Sequence, residues 1–294
     1  HVKQHIIDKY GAKKLFEVGL KIYTTIEPRL QQAGLDAIKN TLDEPGDPAA
    51  ALVTIDPANG YIKAMVSSQD FNQYQFNLAV QGKRQPGSTF KPYVLTAAVE
   101  MGVNPQKTYY MSKEVDITLP GGGQPWHVAT YDHKYFGVSN LEQAMLRSDN
   151  TVFAQLVMYV GPEKAKEMAE RLGIRSYMAA NPSIALGGLG QGVSPLEMSS
   201  AYATLAANGM YAEPVAVTRI EGPDGKTDFE VKPQPRKVIS DGVAYEVTKV
   251  LKADIEKGTS SRANFGRPAA GKTGSTENLQ DAWFVGYTPD FSTS

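Results

Sequence analysis

A chain of 294 residues with a formal net charge of −1 can bury a large core in one or two domains, and its near-neutrality removes the electrostatic basis for binding nucleic acid or an anionic membrane. The absence of cysteine excludes disulfides, thiolate catalysis and cysteine-ligated metal. The histidines His1, His5, His127 and His133 read as non-metal, and no run approaches the ~20 apolar residues of a bilayer span.

In chain order, residues 1–48 read as a connector with some structure. It holds a short helix over His5 to Phe16, a β-rich run from Leu20 to Ile26, and a helix opened by Pro28. The turn cluster Glu44-Pro45-Gly46-Asp47-Pro48 marks the first boundary. Ala51–Ile55 and Tyr61–Val66 flank Asp56-Pro57-Ala58-Asn59-Gly60 as a hairpin, apolar enough on both arms for the centre of a sheet. The stretch from Gln85 to Pro92 opens a buried helix ended by Gly102, because Pro92 lacks an N–H and fits only a first turn. Lys113 to Gly123 reads as a strand and a glycine-rich turn. Ser139-Asn140-Leu141-Glu142 has capping-box spacing and starts a helix that breaks at Arg147–Asn150 and resumes to Val160. Pro162 opens an amphipathic helix ending at Gly173, and Ser194-Pro195-Leu196-Glu197 is a second capping box leading a helix to Asn208-Gly209. Val215 to Val231 is a hairpin and Val243 to Ile255 an amphipathic helix. Pro268–Ser275, Asp281–Tyr287 and Phe291–Ser294 are strands. Helices between two β groups indicate an α/β (α+β) protein in which both ends of the chain share one sheet.

The chemistry-bearing stretch is Gln85-Pro86-Gly87-Ser88-Thr89-Phe90-Lys91-Pro92. Ser88 and Lys91, three apart, share one helix face. A serine hydroxyl needs a neighbouring base to become a nucleophile, and a desolvated lysine can be that base. The helix N-terminus leaves the Ser88 N–H facing a developing oxyanion. Alone this pattern is weak, since a chain this long contains roughly one Ser-x-x-Lys by chance. Two more short motifs follow, Ser148-Asp149-Asn150 and Lys272-Thr273-Gly274, and the last is expected only about 0.1 times at average usage. The ordered set is the signature of penicillin-binding proteins and class A β-lactamases.

With these residues the chain resembles the transpeptidase domain of class A penicillin-binding proteins, the bifunctional peptidoglycan synthases, over essentially its whole length. Thr24–Gln31, Arg84–Pro92, Gly187-Gly188, Gly192–Met198, Gly266–Gly274 and Asp281–Tyr287 carry the likeness besides the three motifs. The resemblance implies the penicillin-binding/β-lactamase-like serine transferase fold, an antiparallel sheet flanked by helices plus an all-helical lobe. It implies a connector over residues 1–48 and a transpeptidase domain over 49–294. It further implies acylation of Ser88 by the D-Ala-D-Ala end of a stem peptide, with Lys91 as base, Ser148 relaying a proton to the leaving amine, and Lys272 beside Ser148. Asn150 would hold the Lys91 amine and the substrate amide. Thr273, Gly274, Ser275 and Thr276 would bind substrate, Thr273 and Ser275 through its carboxylate. The N–H groups of Ser88 and Ser275 would form the oxyanion hole, an edge strand offering unpaired donors. Implied ligands are peptidoglycan stem peptides and β-lactams, with other cell-wall synthesis proteins as partners, no cofactor or metal, and action on the outer face of the bacterial cytoplasmic membrane.

The chain departs from the family in having Ser275 where threonine is usual, and Ser67 and Ser68 where two glycines are common. Nothing in it resembles the family's glycosyltransferase domain or membrane anchor, expected upstream of His1, nor the family's final strand and terminal helix. Residues 266–273 formally match a phosphate-binding loop, but that loop needs a buried strand before it and a helix at its Lys-Thr, and neither pattern is present. A class A β-lactamase needs a glutamate after Ser-Asp-Asn to activate the deacylating water, and Met178 to Gln191 contains no acid. A D,D-carboxypeptidase uses the same residues with water as acceptor, and a β-lactam-acylated sensor or scaffold uses them once without turnover. Trp283, Phe284 and Tyr287 read as core, Trp126 and His127 as candidates for the cleft wall, and Gly187–Gly192 as a turn packed near the site.

Overall fold

The computed structural model describes residues 1–17, 19–69, 74–119, 122–276 and 280–294, without the side chains of His5 and Glu17. The non-metal reading of the His5 side chain, and Pro120 and Gly121 of the expected glycine-rich turn, lie outside what is described. The chain opens with α1 (Val2–Glu17), interrupted at Gly11, then β1 (Lys21–Thr24) and α2 (Pro28–Thr41). The hairpin β2 (Ala51–Ile55) and β3 (Ile62–Ser67) follows. After α3 (Leu78–Gln81), a 3₁₀ turn over Gly87–Phe90 runs into α4 (Lys91–Glu100). Short strands β4 (Tyr109–Ser112), β5 (Val115–Ile117), β6 (Trp126–Val128) and β7 (Gly137–Asn140) lead to α5 (Leu141–Leu146), α6 (Asn150–Val160), α7 (Pro162–Leu172) and α8 (Pro195–Ala206). Strands β8 (Met210–Tyr211), β9 (Val217–Glu221), β10 (Thr227–Glu230) and β11 (Arg236–Lys237) precede α9 (Asp241–Lys257), and β12 (Ala270–Ser275), β13 (Ala282–Tyr287) and β14 (Ser292–Thr293) end the chain.

The two ends of the chain share one antiparallel sheet in the order β12-β13-β14-β2-β3. One expectation fails: β3 is an edge strand among the described residues, not a central one. Its backbone is nonetheless covered. The Gln31 side chain of α2 donates to the Met65 carbonyl at 2.8 Å and accepts from the Met65 N–H at 2.9 Å, and the Glu27 N–H donates to the Lys63 carbonyl. An edge blunted this way does not recruit another strand, and the helix on it explains why its residues read as interior. β1 pairs with β9, which pairs with β10, so residues 1–48 are knitted into the fold by one strand pair and one edge cover.

α4 is buried on every side. Phe90 of the preceding turn and Tyr93 of α4 pack edge to face at 4.6 Å, Tyr93 meets Tyr202 of α8 at 6.0 Å, and Tyr202 meets Tyr287 of β13 at 6.2 Å. This chain of rings joins the sheet to the lobe of α4, α6 and α7. The Tyr202 hydroxyl also donates to the Thr89 carbonyl at 2.7 Å, fixing the turn that carries Ser88. The first helix cap of the lobe is displaced by one residue from expectation. Asn140 and Gln143, not Ser139 and Glu142, form the capping box, because both spacings satisfy the pattern and the amide pair bonds reciprocally. The second box, Ser194 with Glu197, forms as expected.

Glu197 does more than cap α8. It accepts from Lys83 at 2.6 Å, from the Ser194 N–H at 2.8 Å, from the Ser176 hydroxyl at 2.9 Å and from the Arg175 N–H at 3.0 Å. Burial alone raises this carboxyl. The Lys83, Ser194 and Ser176 donors outweigh burial and bring it down to about 2. An acid depressed in the folded state stabilises above its unfolded value, here 4.5, and loses that contribution as pH falls toward 2. Denaturation midpoints should therefore show a loss of about 3 kcal/mol from this group between pH 5 and pH 2. Glu197→Gln should be less stable at pH 7 and should flatten that acid dependence; an unchanged slope would assign acid sensitivity to other carboxylates.

Candidate active site

Three elements bring the motifs together. The 3₁₀ turn before α4 carries Ser88, the break between α5 and α6 carries Ser148, the first residue of α6 is Asn150, and β12 carries Lys272 to Ser275. They border one cleft of about 1090 Å³, lined also by Trp126, Tyr131, Phe136 and Trp283. A smaller cavity of about 480 Å³ lies beside the Lys83–Glu197 pair and contains none of the motif residues.

Lys91 is fully buried, and its Nζ stands at the centre of the motif residues. It is 3.0 Å from Ser88 Oγ, 2.6 Å from the Ser148 carbonyl, 3.3 Å from Ser148 Oγ and 2.8 Å from Asn150 Oδ1. Burial holds the amine well below the ordinary lysine value, helped by the positive Lys272, with the carboxylates of Asp149 and Asp254 pulling weakly the other way. A neutral amine has two hydrogens and one lone pair. The two shortest contacts are to acceptors only, the Ser148 carbonyl and Asn150 Oδ1. They take both hydrogens, and the lone pair is left for the Ser88 hydroxyl, which then donates to Lys91.

The bend that presents Ser148 is held by strain and by a buried acid. Ser148 adopts φ 54°, uncommon for a residue with a Cβ. Asp149, 2% exposed, accepts from the Thr151 and Val152 N–H groups, from the Thr151 hydroxyl and, at 2.5 Å, from Ser112 Oγ. These bonds cap α6 and tie it to β4. Asn150 is fixed separately, its amide donating to the Ala129 carbonyl at 3.2 Å.

Among the described residues β12 pairs only with β13, and it turns its other edge to the nucleophile. The contact is close. Gly87 has φ 54°, and a Cβ there would lie 2.4 Å from the Ser275 carbonyl oxygen, so only glycine lets the Ser88 turn approach this strand. Lys272 is fully buried and does not line the cleft. Its Nζ donates to Thr259 Oγ1 at 3.0 Å and to the Thr273 carbonyl at 3.1 Å, not to Ser148, beside which it was expected. Thr259 and Thr273 line the cleft in its place. The Thr276 hydroxyl accepts from the Asp281 N–H at 2.9 Å, and Ser275 and Gly274 lie along the cleft wall.

Other expectations divide. Trp126 lines the cleft, but His127 does not: it is exposed and paired with Asp116 at 2.8 Å and Glu114 at 3.1 Å. Of the expected core aromatics Tyr287 is buried, Phe284 is partly exposed, and Trp283 faces the cleft while donating to the Gln85 carbonyl. Gly187 and Gly188 border the cleft as expected. Residues 270–275 form a strand with no helix at Lys272, which rules out the phosphate-binding loop. Asp254, Thr259 and Ser260 support β12 from below and were missed, since nothing in Lys257-Gly258-Thr259-Ser260 marks them as more than a helix end.

The model of a known family, the penicillin binding protein transpeptidase domain, matches residues 50–293. The chain belongs to the penicillin-binding protein transpeptidase family. This transpeptidase domain is 35% identical over 256 residues to penicillin-binding protein 1A of Neisseria cinerea, covering 83% of this chain and 32% of that protein. It is 30% identical over 281 residues to penicillin-binding protein 2D of Bacillus subtilis, covering 92% of this chain and 40% of that protein. The transpeptidase domain thus spans well under half the length of these relatives. Among solved structures, PonA1 from Mycobacterium tuberculosis in complex with penicillin V is similar with a TM-score of 0.85 and 29% identity, over 99% of this chain and 81% of that one. Penicillin-binding protein 1A from Haemophilus influenzae, at TM-score 0.86 and 20% identity over 99% of this chain and 64% of that one, shares the fold. The fold is therefore the mixed α/β transpeptidase arrangement of antiparallel sheet and helices that the resemblance implied.

Proposed function

We propose that the chain is the D,D-transpeptidase domain of a peptidoglycan synthase, acylated at Ser88 by D-Ala-D-Ala stem peptides and by β-lactams. The observation that carries this reading is the Lys91 amine, buried, 3.0 Å from Ser88 Oγ and bonded to both Ser148 and Asn150. Lys91 takes the Ser88 proton as Oγ attacks the carbonyl between the two terminal D-alanines. Ser148, 3.3 Å from the same amine, hands a proton to the leaving D-alanine. The Ser88 and Ser275 N–H groups receive the oxyanion, a role supported by the close approach of the Ser88 turn to β12. Thr273, with Lys272 behind it, receives the substrate carboxylate, and Ser275, Gly274 and Thr276 line its path. The acyl group then passes to the amine of a second stem peptide. Residues 1–48 serve as the connector to a glycosyltransferase domain, and residues 49–294 as the transpeptidase domain. Its substrate places the reaction outside the bacterial cytoplasmic membrane, with other cell-wall synthesis proteins as partners. Among the described residues no helix is long and apolar enough to cross a membrane.

Intact-protein mass spectrometry after benzylpenicillin treatment tests the reading. One stable adduct on Ser88, absent from Ser88→Ala, is the expected result, followed by aminolysis of a D-alanyl thioester donor in the presence of a D-amino acid acceptor. No adduct on folded protein would overturn it, and an adduct without turnover would make the domain a one-time acylated sensor.

A further inference from the structure

Beneath β12 lies a buried charged pair whose acid the reaction described above does not use. Asp254 of α9 and Lys272 of β12 are both fully buried, Oδ2 to Nζ 4.0 Å. Asp254 is connected to the strand by more than this pair. Its Oδ2 accepts from Ser260 Oγ at 2.5 Å, and Ser260 Oγ accepts in turn from the Thr273 N–H at 3.0 Å. Its Oδ1 accepts from the Thr259 N–H at 3.1 Å and from the Thr259 hydroxyl at 3.4 Å, and Thr259 Oγ1 accepts from Lys272 Nζ and from the Thr273 hydroxyl at 3.3 Å. One buried acid therefore reaches the cation and the strand on which the substrate carboxylate is read, through two adjacent hydroxyl residues. Gly258 makes the fit possible, since a Cβ there would lie 2.0 Å from Asp254 Oδ1.

We propose that Asp254 is a positioning residue of the transfer reaction: its carboxylate keeps the Lys272 amine charged and, through Thr259 and Ser260, holds Thr273 turned to the cleft. The inference rests on the reading of the preceding subsection. A buried lysine without a counter-charge gives up its proton, and the protein offers few alternatives to Asp254. Lys91 of α4, held neutral by burial, supplies no counter-charge. Asp149, capping α6, is committed to Ser112, Thr151 and the α6 amides. Tyr93, Tyr202 and Tyr287 pack around α4, α8 and β13 as neutral phenols, raised far above the ordinary value by burial. Burial lowers Lys272 to about 8, against the opposing pull of Asp254. The sign of the test follows. Without the negative charge burial is unopposed, Lys272 deprotonates at lower pH, and capture of a carboxylate-bearing β-lactam fails earlier as pH rises.

The test is the pH profile of the second-order rate of Ser88 acylation by benzylpenicillin, in wild-type protein and in Asp254→Asn, which keeps the shape and removes the charge. The alkaline limb is expected to move down by about one pH unit, making the variant roughly tenfold slower above both midpoints. A limb at the wild-type position, with acylation slowed equally at every pH or only the melting temperature lowered, would show a merely structural acid and overturn the inference. If Asp254→Asn does not fold, Ser260→Ala keeps the carboxylate but removes a donor that holds it ionised; it should shift the same limb in the same direction by less, and an unmoved limb overturns the inference equally. Wild-type protein that is not acylated at all would instead refute the transpeptidase reading.

Discussion

Lys91→Met is expected to lower the rate of Ser88 acylation by benzylpenicillin by roughly 10²–10⁴-fold, the usual contribution of a positioned general base, with the protein still folded. Among the described residues no base lies nearer Ser88 Oγ: the Lys91 amine is 3.0 Å away, and its two hydrogens are taken by the Ser148 carbonyl and Asn150 Oδ1. The informative companion is Lys91→Arg. It keeps a positive charge near the site, but a guanidinium stays protonated at any relevant pH and cannot accept the serine proton. If Lys91 acted only as a fixed cation, arginine would restore much of the rate; as a base, it restores none. The pH dependence has a defined sign. Burial and Lys272 depress the Lys91 value, so the reactive neutral amine is present above that depressed value, and acylation falls as pH drops through it. Lys272 must stay charged and titrates near 8, so acylation falls again above that. A bell-shaped wild-type profile that loses its acid limb in Lys91→Met is the outcome that assigns the limb. Time courses by mass spectrometry at several pH values supply the rates.

The same network shows which parts of the site were legible in the sequence. Ser88, Lys91 and the helix they start could be read locally, because Pro92 permits only a first turn and a three-residue spacing sets both side chains on one face. The strand at Lys272 was equally plain. What holds these residues was not legible. Asp254 lies eighteen positions before Lys272 on an amphipathic helix, where an acid reads as solvated, and its burial appears only when α9 packs on β12. Asp149 was visible as the middle of a motif, but its bond to Ser112 joins it to a strand 37 residues earlier. The placement of β3 was misread for a related reason. An edge strand covered by α2 is as apolar as a central one, and the Gln31 side chain that replaces a neighbouring strand carries no periodic signal. His127 failed differently: beside a glycine run it seemed to face the cleft, and the β5–β6 pairing turned it to Asp116 and Glu114.

Gly274→Ala is expected to reduce acylation by about 100-fold, as a displacement of roughly 1 Å at a reacting centre does, at a stability cost of about 1–3 kcal/mol for the overpacking. The backbone at Gly274 is ordinary, so the effect is one of space. A Cβ there would lie 2.4 Å from the Pro86 carbonyl oxygen and 2.9 Å from the Thr89 N–H nitrogen. Both neighbours are backbone, on either side of Ser88, and neither can swing aside as a flexible side chain would. Either the Ser88 turn or β12 must withdraw, and each withdrawal separates the Ser88 N–H from the Ser275 N–H proposed to share the oxyanion. The pattern of damage should differ from that of Lys91→Met: the fall in rate is uniform across pH, because no titrating group is removed. Gly242→Ala is the matched control. It sits in the first turn of α9 with nothing within 4 Å of the added methyl, and there alanine should leave acylation unchanged and add up to about 1 kcal/mol through helix propensity. Acylation of Gly274→Ala at the wild-type rate would mean that the Ser88 turn and β12 can separate without cost to the chemistry, and the oxyanion would then have to be held by other donors in the cleft.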